Sequence, residues 1–278
     1  MADVLSTATT HDKFIPDVWA KDCEIARESS LVMANIVRRF DMDVAQFGDV
    51  LHIPFVTNLT GGDISTSTGL LDAEAPTETE ITLTINKWKG TNMKVLDIVL
   101  AQSKYDFRRL YTDRMGYRLG QLLEQDLTAL ATALSQTVGT FNTDLTDANL
   151  RRAVQYLDDS RTPFTDRHMV IKPAVKNVIL GIDKFVRYDS QGVANGPIKT
   201  GNVPGEIYGA QVHVSPEVYI TGSNTSNMLI HRDCLALAIQ KGIKVENFAR
   251  VGWLDHFGAS QLYGVKELRD DQGVELRS

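Results

Sequence analysis

The spacing of apolar residues changes period several times along this chain, and each change predicts an element. After Pro16 and Asp17, suited to a helix start, Ile25, Leu31, Val32, Ile36 and Val37 form a moderate helical stripe. Residues 48–56, GDVLHIPFV, read as a strand entered through a Gly-Asp turn. Pro54 confines that strand to a sheet edge or to irregular pairing, because it donates no ladder hydrogen bond. EITLTINKW (80–88) alternates with period two, Ile81, Leu83 and Ile85 against Thr82, Thr84 and Asn86. TNMKVLDIVL (91–100) continues the pattern after a turn at Gly90. The period then becomes helical. Leu119, Leu122, Leu123, Leu127, Leu130 and Leu134 predict one helix from Asp106, its candidate cap, to about Val138. At 1.5 Å per residue it would run roughly 45 Å, a spine for the molecule. Gly116 and Gly120 share one face of it, and either admit close contact with another element or are simply tolerated.

Further on, TDANLRRAVQYLDDS (146–160) predicts a helix capped by Thr146 or Asp147. RHMVIKPAVKNVILGI (167–182) predicts a strand leading through Pro173 into another helix. The Gly-, Pro- and Val-rich stretch 196–218 predicts short strands and turns, whereas NMLIHRDCLALAIQ (227–240) fits helix or strand equally. KGIKVENFARVG and SQLYGVKELRDDQGVELRS predict strands, with a turn at Asp271-Gln272-Gly273. The order matches neither strict βαβ alternation nor regular hairpins, and no internal repeat is present. The predicted class is α+β.

With 278 residues and 43% apolar content the chain can build a real core, as one large domain or two smaller ones. Its net charge of −6 argues against affinity for nucleic acid driven by bulk charge. Cys23 and Cys234, two lone thiols, fit a reducing compartment. Residues 1–20 lack the apolar centre of a signal peptide, and no run is long enough to span a bilayer, so a soluble protein made in the cytoplasm is expected.

The residues that carry chemistry are scattered. There is no phosphate-cradling glycine motif and no nucleophile elbow. His231 and Cys234, three apart, have weak ligand spacing. The pairs Asp41/Asp43, Asp158/Asp159 and Asp270/Asp271 read as solvated turns or helix ends. Asp126, within the leucine-rich helix, either faces solvent or pairs with an arginine from elsewhere. Arg38-Arg39, Arg108-Arg109 and Arg151-Arg152 read as solvated faces, with phosphate contact as the minority alternative. No enzyme, metal or cofactor is expected.

One stretch stands apart. Residues 57–80, TNLTGGDISTSTGLLDAEAPTETE, link two predicted strands with five carboxylates and no basic group. So long a connection is uncommon in a compact domain and is often functional. A two-stranded projection has too little core to be stable alone. The stretch is therefore a surface loop, or an arm laid on a neighbouring subunit whose lysines or arginines would meet Asp63, Asp72, Glu74, Glu78 and Glu80. Phe14, Ile15 and Trp19 pose the same choice: a terminal helix docked on its own core, or an arm packed on a neighbour.

FIPDVWAKD, GDVLHIPFV, ITLTINKWKGTNMKVLDI with the long helix after it, RHMVIKPAV, YGAQVHVSPEV and LYGVKELRDDQGVEL, taken in that order, resemble tailed-bacteriophage major capsid proteins over nearly the whole chain. The resemblance implies an N-terminal arm (1–45), an extended loop with peripheral-domain strands (46–100) and a peripheral-domain spine helix (101–144). An axial domain (145–245) and strands returning to the peripheral domain (246–278) would follow. It implies a head subunit found in the virion, assembling with copies of itself into pentamers and hexamers around double-stranded DNA held by weak contacts. A separate scaffolding protein, a portal and a cement protein are implied partners. Phe14, Trp19, Asp63, Asp72, Glu74, Glu78, Glu80 and Trp88 become candidate interface residues. Some relatives weld the loop to a neighbour through a lysine; residues 57–80 contain none, so non-covalent contacts are expected here. The alternatives are an encapsulin shell, which shares the fold and carries peptide cargo, and a small α+β enzyme.

Overall fold

A computed structural model describes residues 31–44, 48–56, 78–102, 107–182 and 205–278, with positions 59, 61–64, 66 and 184; the side chains at 43, 44, 100, 107–110 and 247–251 fall outside that description. Two sheets share one long helix. Short elements open the described chain: α1 (Met33–Ile36), β1 (Arg38–Arg39) and α2 (Asp41–Val44). Then come β2 (Val50–Val56), β3 (Glu78–Thr84), β4 (Lys87–Leu96), α3 (Asp97–Gln102) and α4 (Phe107–Thr128). The middle holds β5 (Thr137–Gly139), α5 (Asp147–Asp159), β6 (Arg167–Ile171) and α6 (Pro173–Leu180). The remainder is β7 (Glu206–Ile207), β8 (Ala210–Val214), β9 (Ile220–Thr221), β10 (Asn224–His231), β11 (Leu235–Val251), β12 (Leu254–Glu267) and β13 (Gly273–Arg277). The mixed α+β class expected from the sequence is what the chain adopts.

The seven-stranded sheet runs β5-β13-β10-β6-β8-β7, with β9 paired to β10. Helices α5 and α6 cover one face, setting Leu150, Leu157, Val175 and Ile179 against Met169, Ile171 and Leu229. The other face meets the end of α4, where Leu123, Leu127 and Leu134 pack on Val170, Met228 and Ile230. Burial on both faces explains why residues 227–240 show no alternation: β6 is buried at every position, and so is β10 after Asn224. The chain leaves this sheet at His231, and the last strand, β13, returns to pair with β10 and β5.

The smaller sheet runs β1-β11-β12-β4, β1 parallel to β11 and the rest antiparallel. One face lies on the first part of α4, where Met115 and Leu119 meet Val95, Phe257 and Ala259. The expected turn at Gly90 is absent. β4 runs straight through it in register with β12, Gly90 opposite Ser260. The break comes earlier, at Ile85 and Asn86. There the Ile85 N–H donates to Asp49 O at 2.7 Å and the chain crosses from the β2–β3 hairpin into the sheet. Residues 97–100, expected as strand, belong to helix α3, with Asp97 in the first turn and its N–H on Trp253 O.

Helix α4 is 22 residues long, about 33 Å by its rise, shorter than expected. Past Thr128, whose hydroxyl donates to Glu217 O, the chain tightens to a 3₁₀ turn over Ala129–Ala133. Leu134 then turns extended, and β5 begins with two β-branched residues. Of the two helix glycines, Gly120 has a packing reason: a Cβ there would stand 2.4 Å from Leu31 Cδ1, whereas nothing lies within 4 Å of one at Gly116. The α5 cap is Thr146, accepting from Asn149 N–H.

Candidate assembly surfaces

β2 and β3 form an antiparallel hairpin of their own, Val50 opposite Thr84 and Val56 opposite Glu78. Pro54 is harmless there because both strands are edges. The root of the hairpin is anchored on its own chain: Leu83 and Ile85 are buried with Ala236, Ala238 and Leu268, and Phe55 lies under the Arg269 guanidinium at 5.3 Å. Toward the far end the apolar groups face outward; Val56, Leu59 and Ile64 are all more than 60% exposed.

Asp63 is exposed, and so are Glu78 and Glu80 on β3, with Glu80 3.2 Å from His52 Nδ1. Asp72 and Glu74 lie outside the described residues, as do Phe14, Ile15, Trp19 and Cys23. Trp88 is 75% exposed on the uncovered face of β4. The described part of the N-terminal segment packs on its own core through Met33, Ile36 and Val37.

What fixes that segment is a residue the sequence reading passed over. Glu124, on α4, is 1% exposed. Its carboxylate accepts from the Val32 and Met33 N–H groups, each at 2.9 Å, and so caps α1 from another helix. Ser215 Oγ donates to it as well, at 2.9 Å. Burial pushes its carboxyl above the usual range, against the pull of those donors, and nearby Glu217 adds to the push. Glu217 in turn accepts from Gln121 and Gln125 of α4. The N-terminal segment, the spine and the 215–217 loop are thus tied at one point. The signal in the sequence was an acid beside Leu123 and Leu127 on the apolar stripe.

Asp126 pairs with lysines, contrary to both alternatives expected for it. Lys87 and Lys89 reach it from β4 at 3.3 and 3.4 Å, and Tyr263 O–H donates at 2.7 Å. The two lysines nearest the acidic stretch are therefore engaged on their own spine. The arginine pairs mostly serve local structure. Arg38 meets Asp233, Arg39 meets Asp41, Arg151 meets Asp147 on the same helix and Arg152 stacks on Tyr156. His231 Nδ1 accepts from Asp233 N–H, while Cys234 is buried in the core, where burial pushes its thiol up. Among the described residues no three His, Cys, Asp or Glu side chains gather as metal ligands. No described helix is long and apolar enough to cross a membrane.

No protein-family model and no curated protein sequence matches the chain. Solved structures do. The chain is similar to one from Mycobacterium phage Che8, with a TM-score of 0.82 and 23% identity over 95% of this chain and 97% of that one. It is similar to the capsid structure of the cyanophage P-SCSP1u, at TM-score 0.79 and 17% identity over 99% and 96%. The asymmetric unit of the mature capsid of bacteriophage PhiM1 gives TM-score 0.76 and 14% identity over 95% and 91%. The chain has the fold of tailed-phage major capsid proteins. The likeness to the cyanophage capsid structure, over 99% of this chain, takes in the hairpin as well as the body.

Proposed function

We propose that this chain is the major capsid subunit of a tailed-phage head, assembling with copies of itself into an icosahedral shell around double-stranded DNA. The observation that carries the reading is the likeness, across more than nine-tenths of both chains, to structures described as phage capsids. The physical arrangement agrees. A hairpin anchored at its root and bare beyond it is a projection that gains stability by lying on another surface. A shell requires heterologous contacts that close into rings, and each can be modest when every subunit makes many. In this reading the acidic residues Asp63, Asp72, Glu74, Glu78 and Glu80, together with Trp88, Phe14 and Trp19, belong to contacts between subunits. The seven-stranded sheet with α5 and α6 is the axial part, and the smaller sheet on α4 the peripheral part. A scaffolding protein, a portal and a cement protein are its partners during assembly, and the virion is its final location.

The test is the size of the purified product. Expression of the chain with a scaffolding partner is expected to give closed shells of megadalton mass by light scattering and electron microscopy. A monodisperse small species that never assembles would remove the reading in favour of a soluble globular protein.

A further inference from the structure

Two histidines far apart in the sequence meet in the fold. His168 is the second residue of β6 and His213 the fourth of β8, and these strands pair in parallel. The register sets Val170 opposite His213, and His168 lies two residues before Val170. Both rings therefore stand on the face of the seven-stranded sheet that also meets the end of α4. His168 Nδ1 lies 3.2 Å from His213 Nε2, and the ring centroids are 5.3 Å apart with the planes tilted by 40°. His168 is buried, 8% exposed, and His213 is half-buried. The shell reading assigns the pair no role.

One hydrogen bond joins the two rings, and it needs one ring nitrogen with a proton and the other with a free lone pair. Two neutral imidazoles meet that need, and so does a neutral ring beside a charged one. Two charged rings do not: both nitrogens are then donors, and two positive charges face each other in a partly buried place. The other charged or titratable groups near His168 are Asp166 before β6, His231 at the end of β10 and Arg232 just after it. Asp166 favours a proton on the ring, whereas His231 and Arg232 oppose one. Burial first, and His213 second, hold the His168 imidazole below its ordinary value; burial does the same to His213. What the pair joins is the edge of the sheet. β8 is held on one side by β6 and on the other by the two residues of β7. Directly after β8, Ser215 N–H donates to Ile171 O and Ser215 Oγ donates to Glu124, the carboxylate that caps α1.

We propose that His168 and His213 form an acid-sensitive clasp: with at most one added proton they tie β8 to β6, and with two they push the strands apart. Opening starts at the β7–β8 edge and slackens the joint between Ser215 and Glu124, while β10, β13 and α5 stay closed. The direction follows from the chemistry. A histidine whose fold disfavours the charged form adds stability above its ordinary value of 6.5, and that stability is lost as pH falls below it. Glu124 works the other way. Its carboxyl is raised by burial, so taking a proton stabilises the fold around it, and loosening of this joint in acid must come from the histidines. The clasp belongs to the single subunit and does not rest on the shell reading.

The test is hydrogen exchange of the unassembled full chain from about pH 8 to about pH 5, each amide's rate being divided by its intrinsic rate at that pH. Protection over residues 210–215 is expected to fall at least about tenfold across that range, while β10 and α5 keep theirs. His213→Gln keeps an acceptor for His168 but takes no proton, and its fall is expected to be less than about threefold. Proton NMR of the two imidazoles, which needs no variant, is expected to show coupled titrations below the ordinary histidine value. Equal falls in wild type and variant, loss of protection spread evenly over β10 and α5, or two rings that titrate independently at about 6.5 would each overturn the proposal. Every measurement is made on subunits, so the outcome is independent of whether shells form.

Discussion

The two sheets of this protein are finished to different degrees. The seven-stranded sheet is covered on one face by α5 and α6 and on the other by the end of α4, and β6 has no exposed position. The four-stranded sheet is covered on one face by α4 and on the other only where the root of the β2–β3 hairpin lies across it. The rest of that second face carries an exposed tryptophan, Trp88, beside a shallow groove floored by Gly90, Gly258 and Ser260. Both sheets use the same helix, so the difference is not one of available material. The chain closes the first region by itself and leaves part of one face of the second bare. Stability should therefore depend on side chains of the closed sheet, and association on side chains of the open one.

The sharpest way to break this contrast is to hollow the closed region. Leu157 on α5 is fully buried against the sheet. Leu157→Ala removes its methyl groups and leaves a cavity that the strands on one side and the helix on the other cannot both close. A loss of about 2–5 kcal/mol is expected, read as a fall in denaturant midpoint with an unchanged slope. A loss below about 1 kcal/mol would mean that this region, too, is loosely finished.

A second, smaller effect sits where the sheets exchange the chain. β12 ends at Glu267, and the crossover to β13 passes Asp270, whose carboxylate accepts from Ser135 N–H at 2.7 Å. Leu268 and Arg269 N–H groups both point at Cys234 O, so the two crossovers between the sheets are pinned together. Burial, with Asp270 beside it, pushes the Glu267 carboxyl from 4.5 up to about 7. A carboxyl raised in the folded state contributes stability below its unfolded value, and that contribution is lost as pH rises through about 7. The wild type should therefore lose stability between about pH 4.5 and pH 7 through this group, and Glu267→Gln should flatten the profile there. Because Glu267 is partly exposed, the expected difference at pH 8 is on the order of 1 kcal/mol after solvent screening. Melting curves of both proteins across that range decide it; parallel profiles would show that the fold does not raise the Glu267 carboxyl.

The closed and open regions also differ in how far the sequence revealed them. Where one face is buried and the other is wet, period two is visible, and β3 and the hairpin were legible from Ile81, Leu83 and Ile85. Where both faces are buried, as in β10 and the start of β11, alternation vanishes, and Asn227 to Gln240 read as helix or strand equally. α5 and its Thr146 cap were legible because the cap, the stripe and the length agree. The end of α4 was not, because its leucines continue past the point where Thr128 finds a partner 89 residues away on Glu217. Gly90 looked like a turn and is a strand position, in register with Ser260 of β12. Glu124 was passed over for a related reason: its partners, Val32, Met33 and Ser215, come together only in the fold. Of the interface candidates, the acids of residues 57–80 drew notice because that stretch holds five carboxylates and no base.

The smallest expected effect tests the open region from the side of stability. Trp88 occupies the wall of the groove, opposite Leu262 of β12, and three-quarters of its surface is in solvent. An indole so exposed contributes little to its own subunit, and Trp88→Ser should change the stability of the unassembled chain by less than about 0.5 kcal/mol. The same change removes a large rigid apolar surface from the groove, the kind of group that dominates contacts between proteins. Assembly should therefore suffer where folding does not, seen as a raised critical concentration for shells formed by subunits with unaltered melting curves. If Trp88→Ser lowered subunit stability by as much as a core truncation, the indole would be packing for its own chain, and the division between a closed sheet and an open one would lose its meaning.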